Sequence, residues 1–387
     1  MPYTLKPTEG KKKRPAYHEL RGPLREAVKR INRTLESRGN RPLQMDFEQM
    51  LDALIYFHLE DHDSGRHLVQ ALAEDQFARE VIAPSGIKKS SFFEAINTRG
   101  LEQMIAVLGE LVKQAKGVVP SAHGEWGDLV AIDGSLIDAV LSMYWADYRD
   151  GSKKAKVHVG FDLNRGIPAK LFLTEGKGDE RPFVSKILEP GQTGVMDRYY
   201  QKHKSFDAWQ AEGKHFVCRI KEGTTKTVIR DNEIQPGSIV FYDSLVLLGS
   251  TRDNQTKTPV RLVAYRVEGK NYWVATDRHD LTGEDIAMIY KLRWNIESFF
   301  GWWKQHLRVY HLIARSPHGL MMQMLAGMIT YLLLAIYCHE KYNEKVSITR
   351  VRELRIKIRN EAVALCCLPS VPGSREGEFS PHAYAKT

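Results

Sequence analysis

Residues 289–307 read IYKLRWNIESFFGWWKQHL, and the spacing within this stretch decides the fold. Arg293, Glu297 and Lys304 follow Tyr290 at steps of 3, 7 and 14 residues. At about 100° per residue a helix keeps all four on one side, with Arg293 and Glu297 one turn apart. Ile289, Leu292, Ile296, Phe299 and Trp303 form the opposite, apolar stripe. The spacing predicts a single buried helix with a charged edge. One acid between two cations and a phenol hydroxyl offers a metal ligand together with phosphate grips. Cutting a DNA backbone needs that combination.

Upstream, LVAIDGSLIDA (129–139) places Asp133 at the end of an apolar run, and TGVMDRYY (193–200) does the same for Asp197. The gaps between the three acids are 64 and 100 residues, so only a fold can unite them. Taken singly, each acid has a plainer explanation. Asp133 could start a turn with Gly134, Asp197 could cap the next segment, and Glu297 could simply pair with Arg293.

The series Y-(2)-R-(3)-E-(6)-K, with both aspartates in order, resembles the signature of the insertion-sequence-four family of bacterial DDE transposases. The blocks DGS, MDRYY, HFVCRIKEG and IYKLRWNIESFFGWWK carry the resemblance over roughly residues 125–340. It implies an α/β protein with an RNase H-like catalytic core, a β-rich insertion, and a small all-α N-terminal DNA-binding region. It implies that Asp133, Asp197 and Glu297 are catalytic and hold two divalent ions, Mg2+ with Mn2+ able to substitute. Asp133 would bridge both ions, and Asp197 and Glu297 would hold one each. Hard cations of this kind take carboxylate, water and phosphate oxygens, and two of them can activate a nucleophile and steady a leaving oxygen. Tyr290, Arg293 and Lys304 would position the DNA end, with Arg293 suited to a bidentate phosphate grip. Trp273, in NYWVATD, would hold a flipped base, although a strand tryptophan in a core explains it as well.

The chain has 387 residues, a net charge of +9 and a pI near 9.2, which favours a polyanionic partner. Cys218, Cys338, Cys366 and Cys367 show no CxxC spacing, which fits a reducing cytosol. MPYTLKPTEGKKKR lacks the apolar stretch of a secretory leader. TEGKGDE has no GK[ST], so ATP is not implied. His58 and His62 have metal-ligand spacing but no evident third ligand, and His203, His215 and Cys218 make no better site. Asp138, Asp147, Asp179 and Glu180 receive no catalytic role. The longest apolar run, Leu320 to Cys338, is interrupted by Gln323 and Thr330 and reads as a buried core helix, not a membrane span.

Five regions follow. Residues 1–120 are helical and basic, with KKKR at 11–14 as a basic arm and Glu19 to Ser37 helical. Asp46 with Gln49 predicts a capping box ahead of FEQMLDALIYFHL, and Ser91 with Glu94 predicts a second one. The helices around GIKKSS suit either a helix-turn-helix, with Lys88, Lys89 and Ser90 on phosphates, or an ordinary bundle; the family resemblance favours the first. Residues 121–221 form the first part of the core, and 222–281 the β-rich insertion. Residues 282–342 complete the core with the signature helix. Residues 343–387 hold a basic amphipathic helix striped by Ile348, Val351, Leu354 and Ile358, then a Pro/Gly/Ser-rich tail.

The expected function is cut-and-paste DNA transposition in a bacterial cytoplasm, at the nucleoid. The partners would be double-stranded DNA, at element ends and target, and a second copy of the chain, because two ends imply a homodimer. The rivals are an RNase H-like nuclease that does not transpose and a domesticated, inactive DNA-binding protein. The intact acid triad argues against the second.

Overall fold

The computed structural model describes residues 15–34, 43, 45–60, 62–252 and 254–366, with side chains through residue 364. The basic arm at 11–14, Cys367 and the tail from Pro369 lie outside the described residues. Six helices come first: α1 (Ala16–Leu20), α2 (Gly22–Lys29), α3 (Phe47–Leu59), α4 (Gly65–Glu74), α5 (Lys89–Thr98) and α6 (Leu101–Val118). Then come β1 (Leu129–Asp138), β2 (Lys154–Asp162), β3 (Ile167–Glu175), α7 (Val184–Ile187), β4 (Thr193–Met196), α8 (His203–Ala211) and β5 (His215–Arg219). Strands β6 (Lys226–Asp231), β7 (Val240–Leu248), β8 (Val260–Val267) and β9 (Lys270–Thr276) precede α9 (Gly283–Leu292), α10 (Trp294–His306), α11 (Pro317–Tyr342) and α12 (Ile348–Cys366).

All nine strands form one sheet, in the order β3-β2-β1-β4-β5-β9-β8-β7-β6. β1, β2 and β3 are antiparallel neighbours, whereas β4 and β5 run parallel to β1. The strands from 222–281 extend this sheet, because β9 pairs with β5 through Val217–Thr276 to Arg219–Val274.

The N-terminal helices share a core with the sheet. A single buried cluster runs from Tyr17, Phe47 and Phe92 through Val157 and Val159 to Trp303 and Leu332. The axis of that cluster is α11, the one helix among the described residues long and apolar enough to cross a membrane by length and composition. It packs instead against α3, α5, α6 and β3. Its polar breaks are satisfied inside the protein. Gln323 accepts from the Ile313 N–H (3.0 Å) and donates to the His311 carbonyl (2.9 Å), and Thr330 donates to the Ala326 carbonyl (2.8 Å).

The capping box of Asp46 and Gln49 is present at the start of α3. That helix is buried on every side from Met50 to Leu59. Ser91 and Glu94 do not form the second box, because α5 starts at Lys89 and Ser91 lies inside it. The helix expected to reach Ser37 ends at Lys29, where Arg30 turns the chain with N–H bonds to Ala27 and Val28.

The signature stretch also departs from expectation. It is two helices, α9 and α10, joined at Arg293, not one. The Arg293 N–H donates to the Tyr290 carbonyl and the Ile296 N–H to the Arg293 carbonyl, both at 3.2 Å. Bonds three residues apart tighten the backbone locally here, without proline or glycine.

His58, in the middle of this core, has Nδ1 2.5 Å from the Leu307 carbonyl and Nε2 3.0 Å from the Gln323 carbonyl. It therefore ties α3 to the end of α10 and to α11, and it is not a metal ligand with His62. Burial pushes its pKa down to about 4 against the pull of those carbonyls. The folded protein thus refuses a proton that the unfolded chain accepts below about pH 6.5. The stability this contributes is whole above that pH and is lost as pH falls toward 4, to the extent of roughly 3 kcal/mol. Urea unfolding between pH 7 and pH 4 should show wild type losing stability more steeply than His58→Gln. Parallel losses would assign the acid lability to another group.

Candidate active site

The sheet itself brings the two aspartates together. In the β1–β4 pairing Leu129 lies opposite Thr193 and Ala131 opposite Val195. The same register sets Asp133 opposite Asp197, just past the last paired residues. Carboxyl ends of parallel strands at such a crossover are where open α/β sheets place their chemistry. Asp133 faces Val159 of β2 and accepts a hydrogen bond from the Gly134 N–H at 2.8 Å. Asp197 caps the short turn Arg198–Tyr200, accepting from the Tyr199 N–H at 2.8 Å.

Arg293 joins the third acid to the first. Its Nη2 lies 2.6 Å from a Glu297 oxygen and its Nη1 3.7 Å from an Asp133 oxygen. The side chain is only 13% exposed, and its Nε is buried without an acceptor. The turn at Arg293 allows this, since it aims the guanidinium between α10 and β1. Tyr290, at the end of α9, is buried beneath the guanidinium (5.9 Å to the ring centroid) and packs on Tyr272. Lys304 donates to the Leu136 carbonyl of β1 at 2.8 Å, so its ammonium docks α10 onto the strand that carries Asp133. Burial lowers its pKa, with Asp138 opposing.

A fourth carboxylate enters the site. Glu180 accepts from the Tyr200 hydroxyl (2.8 Å) and pairs with Lys156 (3.1 Å). A Cβ built on Gly134 would fall 2.5 Å from the Glu180 carboxyl, so only glycine lets Glu180 approach β1 beside Asp133. Sequence reasoning gave Glu180 no role. The glycine directly after Asp133 was the available signal, since a strand glycine marks close approach. Asp133 feels this crowding. Burial raises its pKa to about 7; Arg293 opposes the rise, while Glu180 and then Asp197 add to it. The Tyr200 phenol is pushed well above its ordinary value by burial and then by Glu180, and stays a donor.

The other proposed residues stand apart from the acids. Trp273 on β9 packs against Phe241 and Tyr242, with the Lys226 ammonium 4.9 Å from its ring and its indole N–H buried without an acceptor. Lys88 and Lys89 are exposed at the start of α5, whose Phe92, Ala95 and Ile96 are buried. The α12 stripe is as expected, with Val351, Leu354 and Ile358 buried. Among the described residues no three His, Cys, Asp or Glu side chains converge on one point that could hold an ion.

The sequence profile of the Transposase DDE domain family matches residues 127–333, more than half of the chain, and the chain belongs to that family. As an enzyme it is a DNA transposase of the bacterial DDE class. Transposase y4zB of Sinorhizobium fredii is 29% identical over 249 residues, 62% of this chain and 69% of its own length. A transposase named for insertion sequence element IS5377 of Geobacillus stearothermophilus is 29% identical over 217 residues, and the match spans 54% of this chain and 57% of that protein. One named for element IS4SA of Synechocystis is 25% identical over 292 residues, 74% of this chain and 82% of its own. Among solved structures, a piggyBac transposase synaptic complex with hairpin DNA overlaps 92% of this chain and 80% of that one, at a TM-score of 0.43 and 12% identity.

Proposed function

We propose that this transposase binds the inverted-repeat ends of its insertion sequence, cuts a strand at each end, and joins the freed 3′-hydroxyl to target DNA by cut-and-paste movement. One observation carries the reading. Strand register sets Asp133 opposite Asp197, 64 residues on, and Arg293 spans Asp133 and Glu297. The order β3-β2-β1-β4-β5, antiparallel then parallel, supports an RNase H-like core across 121–221 and 282–342, with 222–281 as an insertion that widens the sheet. Residues 1–120 would recognise the ends and 343–387 would add basic surface.

The donors fit hard divalent cations, since Asp133, Asp197 and Glu297 offer only carboxylate oxygens. Asp133, Asp197 and Glu297 would hold the ions, with DNA supplying further oxygens. When bound, Mg2+ or Mn2+ would supply an activated nucleophile and charge on the leaving oxygen. Glu297 meets Arg293 through one oxygen, which would leave its other oxygen for an ion and Arg293 beside the scissile phosphate. Tyr290 braces Arg293 from below, and Lys304 holds α10 at a fixed height on β1. Trp273, with Lys226 beside it, would receive an unstacked base, and Lys88 and Lys89 would meet backbone phosphates. Two element ends call for two copies of the chain, acting in the bacterial cytoplasm.

Excision of a marked element built from the gene's flanking DNA tests the reading, with wild type and Glu297→Ala in parallel. Wild type should excise and Glu297→Ala should not, while both bind the ends. Equal excision removes Glu297 from the site. Binding without excision by either would make the protein a regulator or an inactive copy.

A further inference from the structure

Asp197 lines a cavity of about 790 Å³ that the three-acid site does not use. Around it stand Arg181, Arg198, Lys202, Lys204 and Lys221. Arg181 is neutralised by Asp179 at 2.9 Å. Arg198, Lys202, Lys204 and Lys221 are exposed, and among the described residues none has a carboxylate within ion-pair distance. Four neighbouring cations without ion-pair partners raise the local positive potential and favour a polyanion there.

The floor of the cavity is fixed. The Gln201 side chain donates to the Thr224 hydroxyl (2.9 Å) and accepts from the Lys221 N–H (2.9 Å), while His203 contacts the Asn254 carbonyl (2.7 Å). The nine-residue α8 also starts here, with Lys202 at its cap and no side chain occupying its first N–H groups. The cleft between α10 and α12 is also basic, but Arg308, Arg355 and Arg359 within it are engaged. Arg359 pairs with Glu60, Arg308 lies 3.7 Å from Asp63, and Arg355 holds the Leu59 and His306 carbonyls.

We propose that the cavity beside Asp197 is a docking track for consecutive backbone phosphates of the DNA strand whose scissile bond lies at the acids. The assignment rests on the function proposed above and adds where the strand leaves the site. Charge sign, rigidity and contiguity with Asp197 all fit a phosphodiester chain. Phosphate contacts of this kind set register and carry no base sequence.

The test is binding of the full chain to two duplexes, one from the gene's flank and one of random sequence, across a salt series. Lys202→Ala/Lys204→Ala is compared with wild type and with Arg230→Ala/Lys270→Ala on the exposed faces of β6 and β9. The slope of log affinity against log salt should fall by about two in the first variant on both duplexes, roughly one for each phosphate no longer neutralised, and stay at the wild-type value in the second. Melting temperatures should match, because the replaced side chains are exposed. An unchanged slope for Lys202→Ala/Lys204→Ala, with wild type binding steeply, overturns the track and leaves the transposition reading standing. Equal losses in both variants overturn it too, since the effect is then one of net charge. If wild type binds neither duplex at any salt, both assignments fall together.

Discussion

Asp133→Asn is expected to lower metal-dependent strand cleavage on the order of 10³-fold, about 4 kcal/mol of transition-state stabilisation, without lowering the melting temperature. The two halves of this result have one cause. Asp133 is half-buried beside Glu180 and Asp197, and burial raises its pKa to about 7 against the pull of Arg293. An amide of the same shape removes the like-charge repulsion and the cost of a desolvated anion, so the fold is retained or gains stability. It also removes the oxygen that two ions would share. Nicking of an end-bearing duplex, read beside thermal unfolding, separates the outcomes. Loss of both activity and stability would make Asp133 a residue of the fold. Retained cleavage would take it out of the chemistry.

The second large effect lies in packing. Trp303 is completely buried, stacks on Phe299 with ring centroids 5.8 Å apart, and presses on α11 at Gly327, where a Cβ would come within 2.9 Å of its Nε1. Trp303→Ala leaves a cavity that the close-packed α10–α11 contact cannot collapse, and it should cost about 3–5 kcal/mol. α10 carries Glu297 and Lys304 as well as Trp303, so the substitution should also loosen the acid relative to β1. Chemical denaturation should show the midpoint moving with little change in slope. A loss below about 1 kcal/mol would mean that Phe299 and Phe300 alone seat the helix.

Much of this could be read before any coordinates. Asp46 and Gln49 cap α3 because the box is local chemistry, complete within four residues. Val351, Leu354 and Ile358 face inward because a 3.6-residue period leaves little choice. Asp197 stands just past the end of β4 because its apolar run stops there, whereas β1 runs on beyond Asp133 to Asp138. What escaped was set by partners distant in sequence. Nothing local says that the signature stretch divides at Arg293, whose guanidinium reaches Asp133 on a strand far upstream in sequence. Glu180 looked like one more loop acid until the missing Cβ at Gly134 brought it against β1. Ser91 lost its cap because α5 begins earlier, over the buried faces of α3 and α11. The strands from 222–281 were visible, but not that β9 would add them to β5 and give one sheet.

The single buried cluster that spans the first helices and the sheet has a further consequence, for how such a chain can change over generations. A recognition module tethered by a linker can be traded between proteins as a cassette. Here Tyr17, Phe47 and Phe92 complete the same interior as Val157 and Leu332. Excising the helices would strip α11 and leave its apolar sides wet. On the DNA-recognition role proposed for these helices, new preferences would arise by replacing surface side chains one at a time on an inherited scaffold, and not by swapping in a foreign head.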